Sequence, residues 1–399
     1  MKTPPAPPSL LTFEITENID VFLQNPMRSP PCKPRPPGGG SPGPRPLSFP
    51  ALLACIPPAG WHYGGMDARF HMPMLLQPVY KEYIWGGDRF ITEFHRRLNP
   101  GRYAESWEIA DHPDGRTRIL NGPCSGQTLS EALVEHGRDI LGPSLAGCKS
   151  FPLMIKLIDA KETLSVQVHP DDESAARYGG EAKSEMWYVL SATPDAHIYS
   201  GFRPGVTAAD FERARAAGTI PSLLQRYPAK PGMIFNTPGG RVHAIGAGCL
   251  LLEVQQDANT TYRLYDWDRV DARTGQPRPL HTAQALQVIN WNLTASPVSP
   301  ILPEDPVSDT LSVRLLLDDP HFHVEEWTLR GPSEVTHPGD GFRILFPVDG
   351  NVRIRTPGQP AMILQRDSTT LLPAVLDHFT LQPADPGPAS IHLLVAKIP

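Results

Sequence analysis

In the stretch TLSVQVH, residues 163 to 169, aliphatic and polar positions alternate without a break. Read as a β-strand, Leu164, Val166 and Val168 share one face, and Ser165, Gln167 and His169 share the other. Pro170 and the acids that follow it end the strand. A half-exposed antiparallel strand with its polar side in water has the same pattern. The stretch alone therefore leaves open whether its polar face meets solvent or a site.

Similar runs, punctuated by Gly and Pro, follow Leu75: RTRIL, LMIKLID, EMWYVL, AHIYSGF, MIFNTP, GCLLLEVQQ and TYRLYD. A second series comprises LSVRLLL, FHVEEWTL, FRILFPVDGNVRIRT, STTLLPAV, FTLQP and SIHLLVAKI, in which Asp349-Gly350 reads as a hairpin turn. Short strands at this spacing predict antiparallel sandwiches or barrels. Two stretches carry helix signals instead. Thr128 with Glu131 three residues on is a capping box, and Thr207 precedes a first turn carrying Asp210. Gly218 and Pro221 split that second stretch into two short helices. Residues 296–309, SPVSPILPEDPVSD, form a proline-rich linker. The chain thus reads as mainly β, with β-rich domains over 66–295 and 310–399 and short helical insertions.

Composition changes the picture chiefly at the N-terminus. Of 47 prolines, 16 fall in the first 65 residues. Such a segment buries too little apolar area to offset its ordering entropy, which predicts disorder over 1–65. Met66, Met72 and Met74 crowd the start of the folded pattern and mark an alternative start of translation. The apolar stretch before Cys55 is short, far from residue 1 and broken by Pro50 and Pro57, unlike a signal peptide. No run elsewhere reaches the ~18 apolar residues of a membrane span. Lys plus Arg number 36 against 42 Asp plus Glu, a net charge of −6, which argues against nucleic acid or membrane surfaces as partners. Five dispersed cysteines without a CxxC pair suit free thiols in a reducing, cytoplasmic setting.

Candidate chemistry then gathers on a few strands. In KSEMWYVL, Lys183, Glu185 and Trp187 share a face. In PGMIFNTPGGRVHAIGAG, residues 231–248, two Pro/Gly turns bracket short strands, the second carrying His243. With Gln167 and His169 these give two imidazoles, one carboxylate and one amide oxygen, a donor set that Zn²⁺ accepts with a position left for water or substrate. One carboxylate on a divalent ion leaves a net positive centre suited to a developing oxyanion.

The turn-bracketed His243 resembles the second motif of the cupins, jelly-roll β-barrels that hold a metal within. PLMIKLIDAKETLSVQVHPDD, KSEMWYVL, TPGGRVHAIGAG and LLLEVQQDANTTYRLYDWDR, in that order, resemble type I phosphomannose isomerases in their short bacterial form. YIWGGDRF and ESWEIADHPDGRTRIL resemble that family's opening. The likeness runs from about Leu76 to about His281 and leaves residues 1–65 outside it. It implies two cupin-like jelly-roll β-barrel domains, the first binding metal and the second not. It implies one zinc ion per chain on Gln167, His169, Glu185 and His243. Arg263 falls on the family's active-site arginine, and Ser165, Lys156 and Lys183 on polar positions of its pocket. KPGMIF departs from the family, with Met233 where an acid is usual, but this touches only a turn.

The implied reaction interconverts mannose 6-phosphate and fructose 6-phosphate through an enediol. Glu253 shares a face with Leu251 and Gln255 and is one candidate base; Lys183 is another, and the residues do not choose between them. Arg263 keeps its charge and suits electrostatic or phosphate contact. There is no Gly-rich phosphate loop, so Lys156, Ser165 and Arg263 are expected to hold the phosphate of a small sugar substrate. Rival readings are a cupin dioxygenase with iron on His169, Glu185 and His243, and a sugar-binding or storage cupin without catalysis. His321 and His323 in PHFHVEEW lack a partner Glu strand and a turn-bracketed His, so they are expected to be structural.

Overall fold

The alternating runs become open antiparallel sheets in the computed structural model, which describes residues 70–293, 296–387 and 389–399. One sheet has six strands, in the order Ile234–Thr237, Glu185–Ala192, Cys249–Gln256, Leu153–Ala160, Glu105–Ile109 and Val79–Lys81. A second has five: Tyr262–Tyr265, Val166–Val168, His243–Ile245, His197–Phe202 and Leu224–Pro228. Residues of both line one cavity, so the two sheets form a sandwich, and among the described residues no sheet closes into a barrel.

The central strand Leu153–Ala160 is buried throughout, and parity sorts its side chains. Leu153, Ile155 and Leu157 enter the largest core, with the capped helix Leu129–Leu141. Ile158 and Ala160 face a second cluster with Trp187, Val189 and Leu251. Lys156 has the same parity and looks toward the cavity. In the second sheet Val166 and Val168 pack beneath Phe211, Leu264 and Val288. Burial of these valines fixes the register that turns Ser165, Gln167 and His169 inward.

The C-terminal strands form an eight-stranded and a four-stranded sheet, and the eight-stranded one also takes in Met74–Gln77 and Arg118–Ile119. Met74 stands opposite Leu371 and Leu75 opposite Thr370. The largest core is shared in the same way, with Phe151 and Phe342 ring centroids 4.6 Å apart.

Several sequence expectations need correction. Asp349-Gly350 is not a hairpin turn, because Arg343–Pro347 and Val352–Arg355 belong to different sheets. It is a corner, where Asp349 accepts from the His392 N–H at 2.8 Å and a side chain on Gly350 would meet Ile391 at 2.8 Å. After the Thr207-capped helix Ala208–Ala216, the second helix is only a 3₁₀ turn, Ile220–Leu223, and Leu224–Pro228 is a strand. The acids after Pro170 do more than stop a strand: Asp171 and Ser174 form a capping box for the helix Asp172–Tyr178. Part of 296–309 is tied down, with Asn236 N–H donating to Pro297 O at 2.7 Å and Ser299 N–H to Ile234 O at 3.0 Å. The expected disorder of 1–65 and the alternative start at Met66 lie outside the described residues. No helix among the described residues is long and apolar enough to cross a membrane.

Candidate metal centre and active site

Strand pairing brings the separate motifs together. In the five-stranded sheet Gln167 stands between His243 on one side and Arg263 on the other. Residues directly opposite on antiparallel strands share a face, so these three side chains project together. In the facing sheet Lys156, Glu253 and Trp187 form a row across three strands, with Glu185 two positions before Trp187.

The two histidines and Glu185 are buried, each about 1% exposed. His243 Nε2 lies 3.2 Å from Glu185 Oε1, and His169 Nε2 lies 3.6 Å from the same oxygen. Each ring is tied at its other nitrogen: His169 Nδ1 donates to Thr260 O at 2.8 Å, and His243 Nδ1 donates to Arg241 O at 2.9 Å. A carbonyl only accepts, so it fixes the proton on Nδ1 and leaves the Nε2 lone pair facing inward. Burial lowers the His169 pKa, helped by the Lys183 ammonium, and burial pushes His243 down to about 3. Both shifts favour the neutral ring, the state a metal requires.

Neither oxygen of Glu185 has a hydrogen-bond partner, although Lys183 Nζ stands 2.9 Å from Oε2 as an ion pair. Burial works against the Glu185 charge, but the Lys183 ammonium outweighs it and holds the carboxyl well below its usual range. Two converging imidazole lone pairs and the buried Glu185 Oε1, which lacks a hydrogen bond, are what a divalent cation would satisfy. Donor atoms of His169, Glu185 and His243 all lie within 4.8 Å of one another. The Gln167 amide is adjacent, its Nε2 3.3 Å from His243 Nε2 and 3.5 Å from His169 Nε2. A half-turn of that amide presents its oxygen to the same point.

This centre opens on a cavity of about 220 Å³. Lys156, Ser165, Gln167, Lys183, Glu185, Glu253 and Arg263 all line it. Lys156 Nζ sits between Glu253 Oε2 at 3.4 Å and Glu105 Oε2 at 3.6 Å. Burial disfavours its charge, but the two carboxylates more than offset this and raise its pKa. Glu253 Oε1 accepts from Trp187 Nε1 at 2.8 Å, while burial raises its pKa against the pull of Lys183 and Lys156. Arg263 Nε donates to Ser165 Oγ at 3.3 Å, and its Nη1 to Pro279 O at 2.8 Å.

Sequence reasoning missed Glu105, Tyr83, Asn259 and Arg278, all on the cavity wall. Glu105 had a readable signal, since it shares a strand face with Trp107. Arg278 had none: it lies in a loop, and only the fold puts it on the cavity wall, held by Asp266 at 2.6 and 2.8 Å.

Known proteins resemble this chain in sequence and in fold. Residues 74–200 match the family model described as phosphomannose isomerase type I, catalytic domain. The chain is 36% identical over 312 residues to the mannose-6-phosphate isomerase ManA of Bacillus subtilis, covering 78% of this chain and 96% of that protein. It is 35% identical to the mannose-6-phosphate isomerase of Streptococcus mutans, covering 75% and 92%. The crystal structure of a mannose 6-phosphate isomerase from Bacillus subtilis superposes with a TM-score of 0.72 at 30% identity, covering 81% of this chain and 99% of that one. A mannose 6-phosphate isomerase structure bound with zinc and yttrium shares the fold, with a TM-score of 0.61 at 16% identity over 81% and 98% of the two chains.

Proposed function

The chain belongs to the type I phosphomannose isomerase family and is an aldose–ketose isomerase of mannose 6-phosphate, and we propose that its chemistry runs in the cavity between the two sheets. The observation that carries this reading is Glu185 Oε1, a buried carboxylate oxygen at the meeting point of two imidazole lone pairs, while Oε2 is ion-paired with Lys183. We assign one zinc ion to His169, Glu185 and His243, with the Gln167 amide oxygen as fourth donor. The solved relative that holds zinc supports this choice of metal. Bound there, the ion supplies Lewis acidity toward the sugar oxygens and charge stabilisation for the enediolate.

The protein's own groups do the rest. Glu253 takes the proton from C2 of the open-chain aldose and returns it to C1, while the O2 hydroxyl gives up its proton and O1 gains one. Its raised pKa brings it nearer neutrality, which strengthens it as a base. Lys156 and Trp187 fix its orientation. Lys183, pinned by Glu185, donates hydrogen bonds to the reacting hydroxyls. Arg263 and Ser165 bind the phosphate at the mouth, where Arg278 adds positive charge, and Lys156 meets the sugar from the cavity floor. Burial, then the neighbouring Arg278, lowers the Arg263 pKa, but a guanidinium still keeps its proton at neutral pH. In this reading residues 66–295 carry the reaction, and 310–399 form a metal-free β domain that completes the core.

A coupled assay of the purified protein tests the assignment. Mannose 6-phosphate should be converted, a chelator should abolish conversion, and added zinc should restore it. Turnover that is indifferent to the chelator would remove the metal from the reaction.

A further inference from the structure

The two metal-facing histidines are held in different ways. His243 Nδ1 is tied to Arg241 O, two residues back in its own segment. His169 Nδ1 is tied to Thr260 O, 91 residues away. The aim of the His169 ring therefore depends on what holds residues 259–260 in place. Most of that hold converges on Glu181; beyond it, Asn259 Nδ2 donates to Asp114 Oδ2 at 2.7 Å. Glu181 Oε2 accepts from the N–H of Asn259 at 3.0 Å, the N–H of Thr260 at 3.1 Å and the Thr260 hydroxyl at 3.1 Å. The Glu181 N–H donates to Thr260 Oγ1 at 3.0 Å. Its other oxygen, Oε1, lies 2.9 Å from His112 Nε2, which braces the carboxylate from behind.

We propose that Glu181 is a positioning residue of the metal centre: it clamps the Asn259–Thr260 backbone so that the Thr260 carbonyl fixes the tautomer and direction of His169. The clamp acts through two intermediates and touches neither metal nor substrate. Charge-assisted hydrogen bonds from backbone N–H groups are stronger than neutral ones, so one carboxylate can hold the turn. Gly179 and Gly180, both at positive φ, let the chain reach the clamp, and a side chain on Gly180 would collide with Tyr262 Oη at 2.6 Å. Outer partners of metal-binding histidines are typically worth about 10–100-fold in metal affinity. The two rings thus have different dependence: removing Glu181 loosens His169 and leaves the His243 tie intact.

This proposal rests on His169 being a zinc ligand, and the test separates the two. Zinc release from the purified holoenzyme to a chromogenic chelator is measured for wild type, Glu181→Ala, Glu181→Gln and Thr260→Ala. Glu181→Ala should release zinc about 10-fold faster or more, with KM for mannose 6-phosphate at saturating zinc changed less than about twofold. Glu181→Gln keeps an oxygen acceptor and should recover most of the difference. Thr260→Ala cuts only the hydroxyl ties and should fall between. If Glu181→Ala does not fold, the Thr260→Ala rate decides. Wild-type release rates in the Ala variants would overturn the clamp, as would a Gln variant as fast as Ala. A wild-type protein that binds no stoichiometric zinc would instead overturn the ligand assignment.

Discussion

Histidine pairs occur in both halves of the chain, and their neighbours give them opposite characters. His169 and His243 each face a backbone carbonyl at Nδ1 and a shared carboxylate at Nε2. In the C-terminal half, His321 has Asp319 at Nδ1 and Asp172 at Nε2, at 2.9 and 2.8 Å. His323 has Asp318 and Glu325 at 3.1 and 2.9 Å. A carboxylate on each ring nitrogen favours the imidazolium, which has no lone pair to offer. Asp319 first, and Asp172 with it, raise the His321 pKa; for His323, Glu325 and Asp318 overcome burial and do the same. The metal-facing pair is driven the other way, mainly by burial. Residue type and a β setting do not make a ligand; the partner at the second nitrogen does.

The largest effect should come from breaking the inward pair. His243→Ala should abolish stoichiometric zinc and lower turnover at least about a thousandfold, since metal stabilisation of an oxyanion is worth several kcal/mol. His323→Ala in the other pair should leave both within twofold. Metal analysis beside the coupled assay checks this, and full zinc in His243→Ala would refute the ligand set. A smaller loss separates substrate from metal contacts. Arg263→Ala should keep its zinc and lose about 10²–10³ in kcat/KM, with a larger part in KM if the guanidinium holds phosphate. Unchanged kinetics would remove Arg263 from the site.

The inward pair was legible because a metal needs uncommon residue types at set parity. Gln167 and His169 sit two apart on a strand whose other face is Leu164, Val166 and Val168, and His243 follows a Gly-Gly turn that few other roles need. Glu185 was legible as a charge on an apolar strand. The setting of those residues was not legible. Thr260 helps His169 through its carbonyl, which every residue has, so no residue type signals it. Glu181 carries no sequence signal either, because its partners are 78 and 79 residues away. Asp349-Gly350 has hairpin chemistry but serves as a corner, since Ile391 and His392 decide where the chain goes. The pairing of Met74–Gln77 with Thr370–Leu372 likewise depends on contacts nearly 300 positions apart.

The smallest expected effect sharpens the comparison from the C-terminal side. His321 joins Asp319, in its own segment, to Asp172 on the helix that follows the His169 strand. Its pKa is raised in the folded state, so the folded protein binds the His321 proton more tightly than the unfolded chain, where a histidine titrates near about 6.5. By linkage, the stabilisation is fully present below that unfolded value and is lost as pH rises through the higher folded value. The pair is partly solvated, with 23% and 43% of the two side chains exposed, which limits the gain to about 0.5–1 kcal/mol. His321→Ala should therefore lower Tm by about 1–2 °C near pH 5.5 and by clearly less near pH 8.5. Zinc must be held at one free concentration, because bound metal stabilises by mass action. Zinc content and turnover should not change. A Tm difference that grows with pH would reverse the sign and show that His321 is held as a neutral ring, like the pair at the metal centre.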